Sequence, residues 1–336
     1  MIFKKSSGVN DSVFGKSQEP IRLMMEKDIE ACENESALPK IFCEQKSENW
    51  AEKYTSMTSL QNFEPGDEGE DYPEGSIQEG FSKVVEPYEW RLRLPITRTM
   101  VDDNKILDIK KGALGFTQAY CRTKEMLGAE LLVGAAQGRD AIFGKKKKKF
   151  STKSADGVTL FSKAHPSIVD KSFVQTNLYK DGFSVDALSA LECKMNNFKD
   201  DNGYLLSVAP DTIIIPNEYK LKKAVFAAIG ADKDPDSAGN GFNYQFGRWN
   251  IIVWNYLNPI VTAKSPMPYI LLDSKFNKRA GGAIWQNRKE LEVTSYIDEN
   301  NDNNIFKGYS RFVGAFNNWR AFAISGIDGG DVLVSE

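Results

Sequence analysis

The chain of 336 residues contains one histidine, His165. A serine or cysteine nucleophile that needs an imidazole base would have to use it. The ring sits directly before Pro166 in a turn-like segment, which suits a structural or solvent-exposed histidine better than a catalytic one. Cys32, Cys43, Cys121 and Cys193 are scattered and form no CxxC pair. Structural zinc needs four close nitrogen or sulfur ligands, so it is rejected, and reduced thiols are expected. Neither GxxxxGK[ST] nor a GxGxxG between a strand and a helix is present, and Gly239-Asn-Gly-Phe reads as a plain loop. No GxSxG elbow occurs. Carboxylates are plentiful, but their spacing in sequence says nothing about their separation in space. No catalytic, cofactor-binding or metal-binding residue is assigned. A carboxylate-based hydrolase stays only as an alternative with no residue singled out.

Charge is the next chemistry available. The net charge is -3, close to neutral for this length, which argues against a globally basic nucleic-acid binder. Two blocks break the balance. Residues 64 to 79 carry Glu64, Asp67, Glu68, Glu70, Asp71, Glu74 and Glu79 without a Lys or Arg. Lys145, Lys146, Lys147, Lys148 and Lys149 are consecutive. Five lysines could engage several phosphates, yet no aromatic residue interleaves them. A solvated loop, or one that meets a neighbour's acidic segment, explains them better.

The elements that would carry these blocks can be read from periodicity. Residues 1 to about 60 are polar and weakly periodic and read as an arm, with a short helix near Pro20 to Ala31. Residues 61 to 99 read as a long hairpin. Its first half is rich in Gly, Pro and acids. Its second half alternates, with Tyr88, Trp90, Leu92, Leu94 and Ile96 on one face and Arg91 and Arg93 on the other. Pro87 and Pro95 suit an exposed edge. Residues 100 to about 136 read as the longest helix, with Ile106, Ile109, Ala113, Phe116, Tyr120, Leu127, Leu131 and Leu132 as its apolar stripe. Gly112, Gly115 and Gly128 weaken that helix and would permit bending or close packing. Ser184 is placed to cap a second amphipathic helix. Two short buried strands are expected in 204 to 216, a helix at 221 to 229, strands at 249 to 254 and 269 to 273, and two long strands after Leu291. The pattern is mixed α+β without regular βαβ alternation. No window approaches 18 apolar residues, so no membrane span or membrane partner is expected, and no secretory signal is read at the N-terminus.

Taken in order, these segments resemble the Hong Kong 97-type major capsid fold of tailed phages. Leu160-Phe-Ser-Lys-Ala-His-Pro, Gly203-Tyr-Leu-Leu-Ser-Val-Ala-Pro-Asp-Thr-Ile-Ile-Ile-Pro and Trp319-Arg-Ala-Phe-Ala look most like the Mu-like prophage head subunit family. The resemblance implies an arm at 1–60, an extended hairpin at 61–99, and a spine helix with the first part of a peripheral domain at 100–174. An axial domain would follow at 175–287, and 288–336 would return to the peripheral domain. It implies pentamers and hexamers of an icosahedral shell around double-stranded DNA, in the virion, assembled in the bacterial host cytoplasm. The implied partners are further copies of the chain, portal and scaffolding proteins, and packaged DNA met non-specifically at the inner face. An encapsulin-like compartment is the alternative on the same fold. Candidate intersubunit contacts are Tyr88, Trp90, Leu92, Arg91 and Arg93 in the hairpin, Glu68, Glu70 and Asp71 in the acidic stretch, and the five lysines. A Lys–Asn crosslink through Lys83 is not expected, because spacing alone does not support one.

Overall fold

The computed structural model describes residues 2–4, 13–66, 71–72, 74–75, 77–103, 105–230, 243–265 and 267–327. Its largest sheet is built on the two returning strands, Ala283–Ile297 and Asn304–Phe316, which pair antiparallel from Ala283 opposite Phe316 to Ile297 opposite Asn304. Tyr88–Ile96 adds to the outside of Asn304–Phe316, and Ile2–Lys4 and Cys43–Lys46 add in parallel to Ala283–Ile297. The 31-residue helix Ile106–Ala136 packs across this sheet. Ile109, Ala113, Phe116, Leu127, Leu131 and Leu132 are buried, as their spacing predicts. Close approach needs glycine on the strand under the helix and on the helix face that meets Leu38. A Cβ on Gly308 would stand 2.5 Å from Phe116, and one on Gly128 would collide with Leu38. The helix holds four glycines: a Cβ at Gly128 or Gly134 would collide, while one at Gly115 would meet nothing within 4 Å.

A second sheet has the order Asn250–Trp254, Thr212–Pro216, Tyr269–Leu272, Phe322–Ser325. Thr212–Pro216 is buried along its whole length. Helices Val185–Asn196 and Tyr219–Gly230 belong to this half, and the Ser184 hydroxyl accepts from Ala187 N–H as a cap. One continuous apolar core runs from Leu38 to Ile324 and joins the two sheets.

Six sequence expectations need correction. The arm is packed further than its polarity suggests. Helix Val13–Glu35 lies on Ile106–Ala136 with Met25 and Ile29 buried, and Leu38, Ile41 and Phe42 enter the main core. The hairpin is formed by Glu52–Met57 and Glu79–Val85; Tyr88–Ile96 is an edge strand of the large sheet. Alternation marks a half-buried strand without naming its partner, and the partner lies some 220 residues later. The segment 204 to 216 holds one strand rather than two. The lysine run is a tight turn closed by Ala141–Phe143 and Lys148–Phe150. Cys32 and Cys121 form a disulfide across the two long helices, with Cα atoms 6.5 Å apart. Finally, Phe322–Ser325 leaves the large sheet and pairs with Tyr269–Leu272 in the second one.

Candidate functional site

The hairpin legs Glu52–Met57 and Glu79–Val85 carry a tip over residues 58 to 78. Gln61 donates to the Glu74 carbonyl across the base of that tip. Its apolar side chains find no cover in the chain: Phe63 and Tyr72 are 105% and 96% exposed, and Leu60 and Ile77 are exposed as well. Glu64, Asp71 and Glu74 are exposed beside them. Glu68 and Glu70 lie outside the described residues. The root of the tip is tied to the second half of the molecule. Ser59 N–H donates to Asp200, 3.2 Å, and Asn202 donates to the Ser59 carbonyl, 2.9 Å. Lys83, on the returning leg, donates to the Lys153 carbonyl. Burial pulls its ammonium down to about 8 against the partial support of Asp156 and Asp140.

Tyr88–Ile96 places its candidate residues differently. Trp90 stacks on Phe312 with centroids 4.9 Å apart, lies against Phe143 and Phe150, and donates its indole N–H to the Phe312 carbonyl at 3.0 Å. Tyr88 meets Phe150 edge-on at 4.9 Å. Both side chains are half-buried in their own chain. Leu92 is exposed, as are Arg91 and Arg93. Arg91 pairs with Glu89 and stands over the Tyr309 ring, and Arg93 lies opposite Lys307.

Lys145 to Lys149 are all exposed on their turn. Lys147 has φ of 49°, and the Lys148 ammonium lies 4.7 Å from the Tyr88 ring centre. Phe143 and Phe150, which bracket the lysines, are what Trp90 and Tyr88 pack against. The turn is thus fixed to the edge strand through an aromatic cluster. No ion pair among the described residues joins the lysines to the acidic stretch.

Between the edge strand and the long helix lies a groove of about 290 Å³. Trp90, Leu92, Phe116, Tyr120 and Leu291 form its apolar walls, and Arg91 and Arg122 stand on its rim. Ser310 at its floor is 1% exposed, and its hydroxyl has no hydrogen-bond partner.

A buried polar hub lies beside the second sheet, bonded to its Phe322 carbonyl through Asn177, and sequence reasoning missed it. His165 is 1% exposed. Its Nδ1 is 2.6 Å from Asp156 Oδ2 and its Nε2 is 3.1 Å from Asn177 Oδ1. Asn177 is oriented by donating to the carbonyls of Leu160 and Phe322 and accepting from Ser162 N–H. Both imidazole nitrogens therefore face acceptors. The ring also stacks on Trp319, with centroids 4.2 Å apart. Burial disfavours the Asp156 carboxylate, but donors from His165, Ser154 and Val158 outweigh it and hold the carboxyl below the usual carboxylate range. Arg320 adds a buried ion pair with Asp201 at 3.0 Å and donates to the Lys199 carbonyl. The Asp–His pair looks like half a triad, yet its acceptors are all structural and the ring has no exposed face. The three segments that carry the family resemblance meet at or beside this hub. Only that coincidence could have revealed it in the sequence.

No protein-family model matches the chain, and no curated protein matches it in sequence. Among solved structures, the capsid of Ralstonia phage GP4 superposes with a TM-score of 0.50 at 9% identity, covering 86% of this chain and 88% of that one. A structure from Mycobacterium phage Cain covers 90% and 91% at 14% identity and TM-score 0.49. A virus-like particle from Pyrococcus furiosus covers 91% and 98% at 10% identity and TM-score 0.49. The chain has the fold of the GP4 capsid subunit, the α+β Hong Kong 97-type architecture.

Proposed function

We propose that this chain is the major capsid protein of a tailed bacteriophage, of the Mu-like head group, and that it closes into pentamers and hexamers of an icosahedral shell around double-stranded DNA. One observation carries the reading: a chain with this fold holds out a hairpin whose aromatic side chains are bare. Phe63 and Tyr72 have no cover of their own. An aromatic side chain buries roughly 150–250 Å² when covered, worth about 25 cal/mol per Å² of apolar area. Leaving two such rings in water is costly unless a neighbour covers them. Obligate interfaces commonly bury more than about 2,000 Å², and a repeated shell supplies that cover at every subunit. Each subunit needs no catalytic residue for this role. Portal and scaffolding proteins, DNA at the inner face, assembly in the host cytoplasm and residence in the virion follow from the same reading. The exposed lysine turn and the acidic tip suit contacts between neighbouring subunits.

The test is electron microscopy of the purified protein, expressed with and without a scaffold. Closed shells or capsomers are expected, and nuclease-protected DNA would separate a phage head from an encapsulin-like compartment loaded with protein. A strictly monomeric protein at high concentration, with scaffold supplied, would overturn the reading.

A further inference from the structure

We infer that the groove between Tyr88–Ile96 and Ile106–Ala136 binds a small aromatic carboxylate, with its ring system against Trp90, Phe116 and Tyr120, its carboxylate on Arg122 and a hydroxyl at its far end on Ser310. This goes beyond the shell reading and does not depend on it. The groove holds about 290 Å³, near the bottom of the roughly 300–1,000 Å³ range of small-molecule sites and of a size for one or two fused rings. Its walls suit a flat apolar body. Three of them are aromatic side chains, and Leu92 and Leu291 supply the aliphatic remainder. Aromatic pairs in offset or edge-on contact gain more than their buried area alone. The walls are also held from behind. Trp90 is stacked on Phe312 and bonded to its carbonyl, and Phe116 and Leu291 are buried in the subunit's own core. A site already in place costs less ordering when a ligand enters.

Two polar groups decide the chemistry of the occupant. Arg122 is exposed on the rim, and its guanidinium has no ion pair or hydrogen bond among the described residues. The cations beside it are committed: Arg91 to Glu89 and the Tyr309 ring, Lys124 to Glu33. A free guanidinium fork matches a carboxylate through two parallel hydrogen bonds. Among the described residues no acidic side chain lines the groove, so an anion meets no like charge on its walls. At the floor, Ser310 is 1% exposed and its hydroxyl is without a partner. A buried polar group is normally satisfied, and a hydroxyl on the ligand can donate to it or accept from it. An uncharged hydrocarbon would use neither group, and a cation would face Arg122.

Calorimetric titration of the full-length subunit, before assembly, tests the site with three matched probes. The first is a hydroxynaphthoate with hydroxyl and carboxylate at opposite ends of the ring system. The second is the naphthoate without the hydroxyl. The third is the hydroxynaphthyl methanol, which lacks the charge. The hydroxynaphthoate should bind at one site per chain, at least tenfold more tightly than the uncharged probe. Arg122→Gln should remove that tenfold preference, and Arg122 is exposed, so the variant should melt like the wild type. Ser310→Ala should abolish the advantage of the hydroxynaphthoate over the plain naphthoate while leaving naphthoate binding unchanged, a readout that misfolding would not produce. Ala119 lines the groove, and Ala119→Trp, which fills it, should abolish binding of all three. No binding of any probe at millimolar concentration would overturn the inference. So would equal affinity for the charged and uncharged probes, or binding that Arg122→Gln and Ala119→Trp leave unchanged. A hydroxyl advantage that survives in Ser310→Ala would overturn the placing of the far end. None of these results depends on whether shells form, so the shell reading stands or falls separately.

Discussion

Asp156 keeps its charge with almost no solvent, because three donors converge on it. Replacing it by Asn keeps the shape and removes the charge opposite His165. A hydrogen bond to a charged group contributes about 1.5–3 kcal/mol, so the Asp156→Asn variant should lose stability of that order in urea unfolding at pH 7. The pH dependence follows from the direction of its shift. The folded carboxyl lies below its ordinary value, so the unfolded chain binds the proton first as pH falls. Its contribution is complete well above the ordinary value of about 3.9 and is lost as pH drops through the lowered folded value. The gap between wild type and variant should therefore be full at neutral pH and shrink in acid. An unchanged gap down to about pH 2 would contradict this placement. Trp90 makes the opposite point. The sequence suggests an intersubunit anchor, yet the indole is committed to Phe312, Phe143 and Phe150 of its own chain. Trp90→Ala should destabilise the free subunit by about 3 kcal/mol, the low end for a large aromatic loss. An unaltered melting curve with failed assembly would instead assign the indole to a contact between subunits.

At the scale of elements, the disulfide is the feature composition least suggested. It links Val13–Glu35 to Ile106–Ala136 across a separation of 89 residues. Closing a loop of that length removes unfolded-state freedom, and typical native disulfides contribute about 2–4 kcal/mol. Cys32→Ser should therefore lower the stability of air-purified protein by that amount and loosen the N-terminal helix, seen as faster amide exchange over 23 to 35. Thiol titration in denaturant should find two reactive groups, Cys43 and Cys193; four would show the pair to be open. The hairpin shows how an element can be legible while its bounds are not. An acidic, Gly- and Pro-rich tip is plain in the sequence. Its legs are short, and the first of them, Glu52-Lys-Tyr-Thr-Ser-Met, alternates too weakly to stand out.

Over the whole molecule, charge is segregated onto two outlying elements. The lysine turn and the acidic stretch each concentrate one sign of charge, and no ion pair among the described residues joins them. Exposed pairs contribute only about 0–1 kcal/mol each, but the symmetry of the proposed shell would repeat them. If the two blocks meet between subunits, about 1 M salt should loosen the shell, because screening length falls to roughly 3 Å. Replacing Lys145 to Lys149 by Gln should then give fragile or absent empty shells. Sound empty shells with poor DNA retention would instead assign the turn to packaged DNA.

The sequence by itself determined what periodicity and composition encode. The stripe from Ile109 to Leu132 fixes a long helix and its buried face. The alternation from Tyr88 to Ile96 fixes a half-buried strand. The Ser184 cap, the buried Thr212–Pro216 strand and the missing phosphate loops were all readable, as was the segment order that resembles a capsid subunit. Partners were not. Trp90 meets Phe312 across 222 residues of chain, Asn177 meets Phe322 across 145, and Ile2–Lys4 and Cys43–Lys46 reach the far strand in parallel. A period tells which face of an element is apolar and nothing about what covers it. The covering partner depends on packing between segments far apart in sequence, so the hub, the disulfide and the groove exist only once the chain has folded.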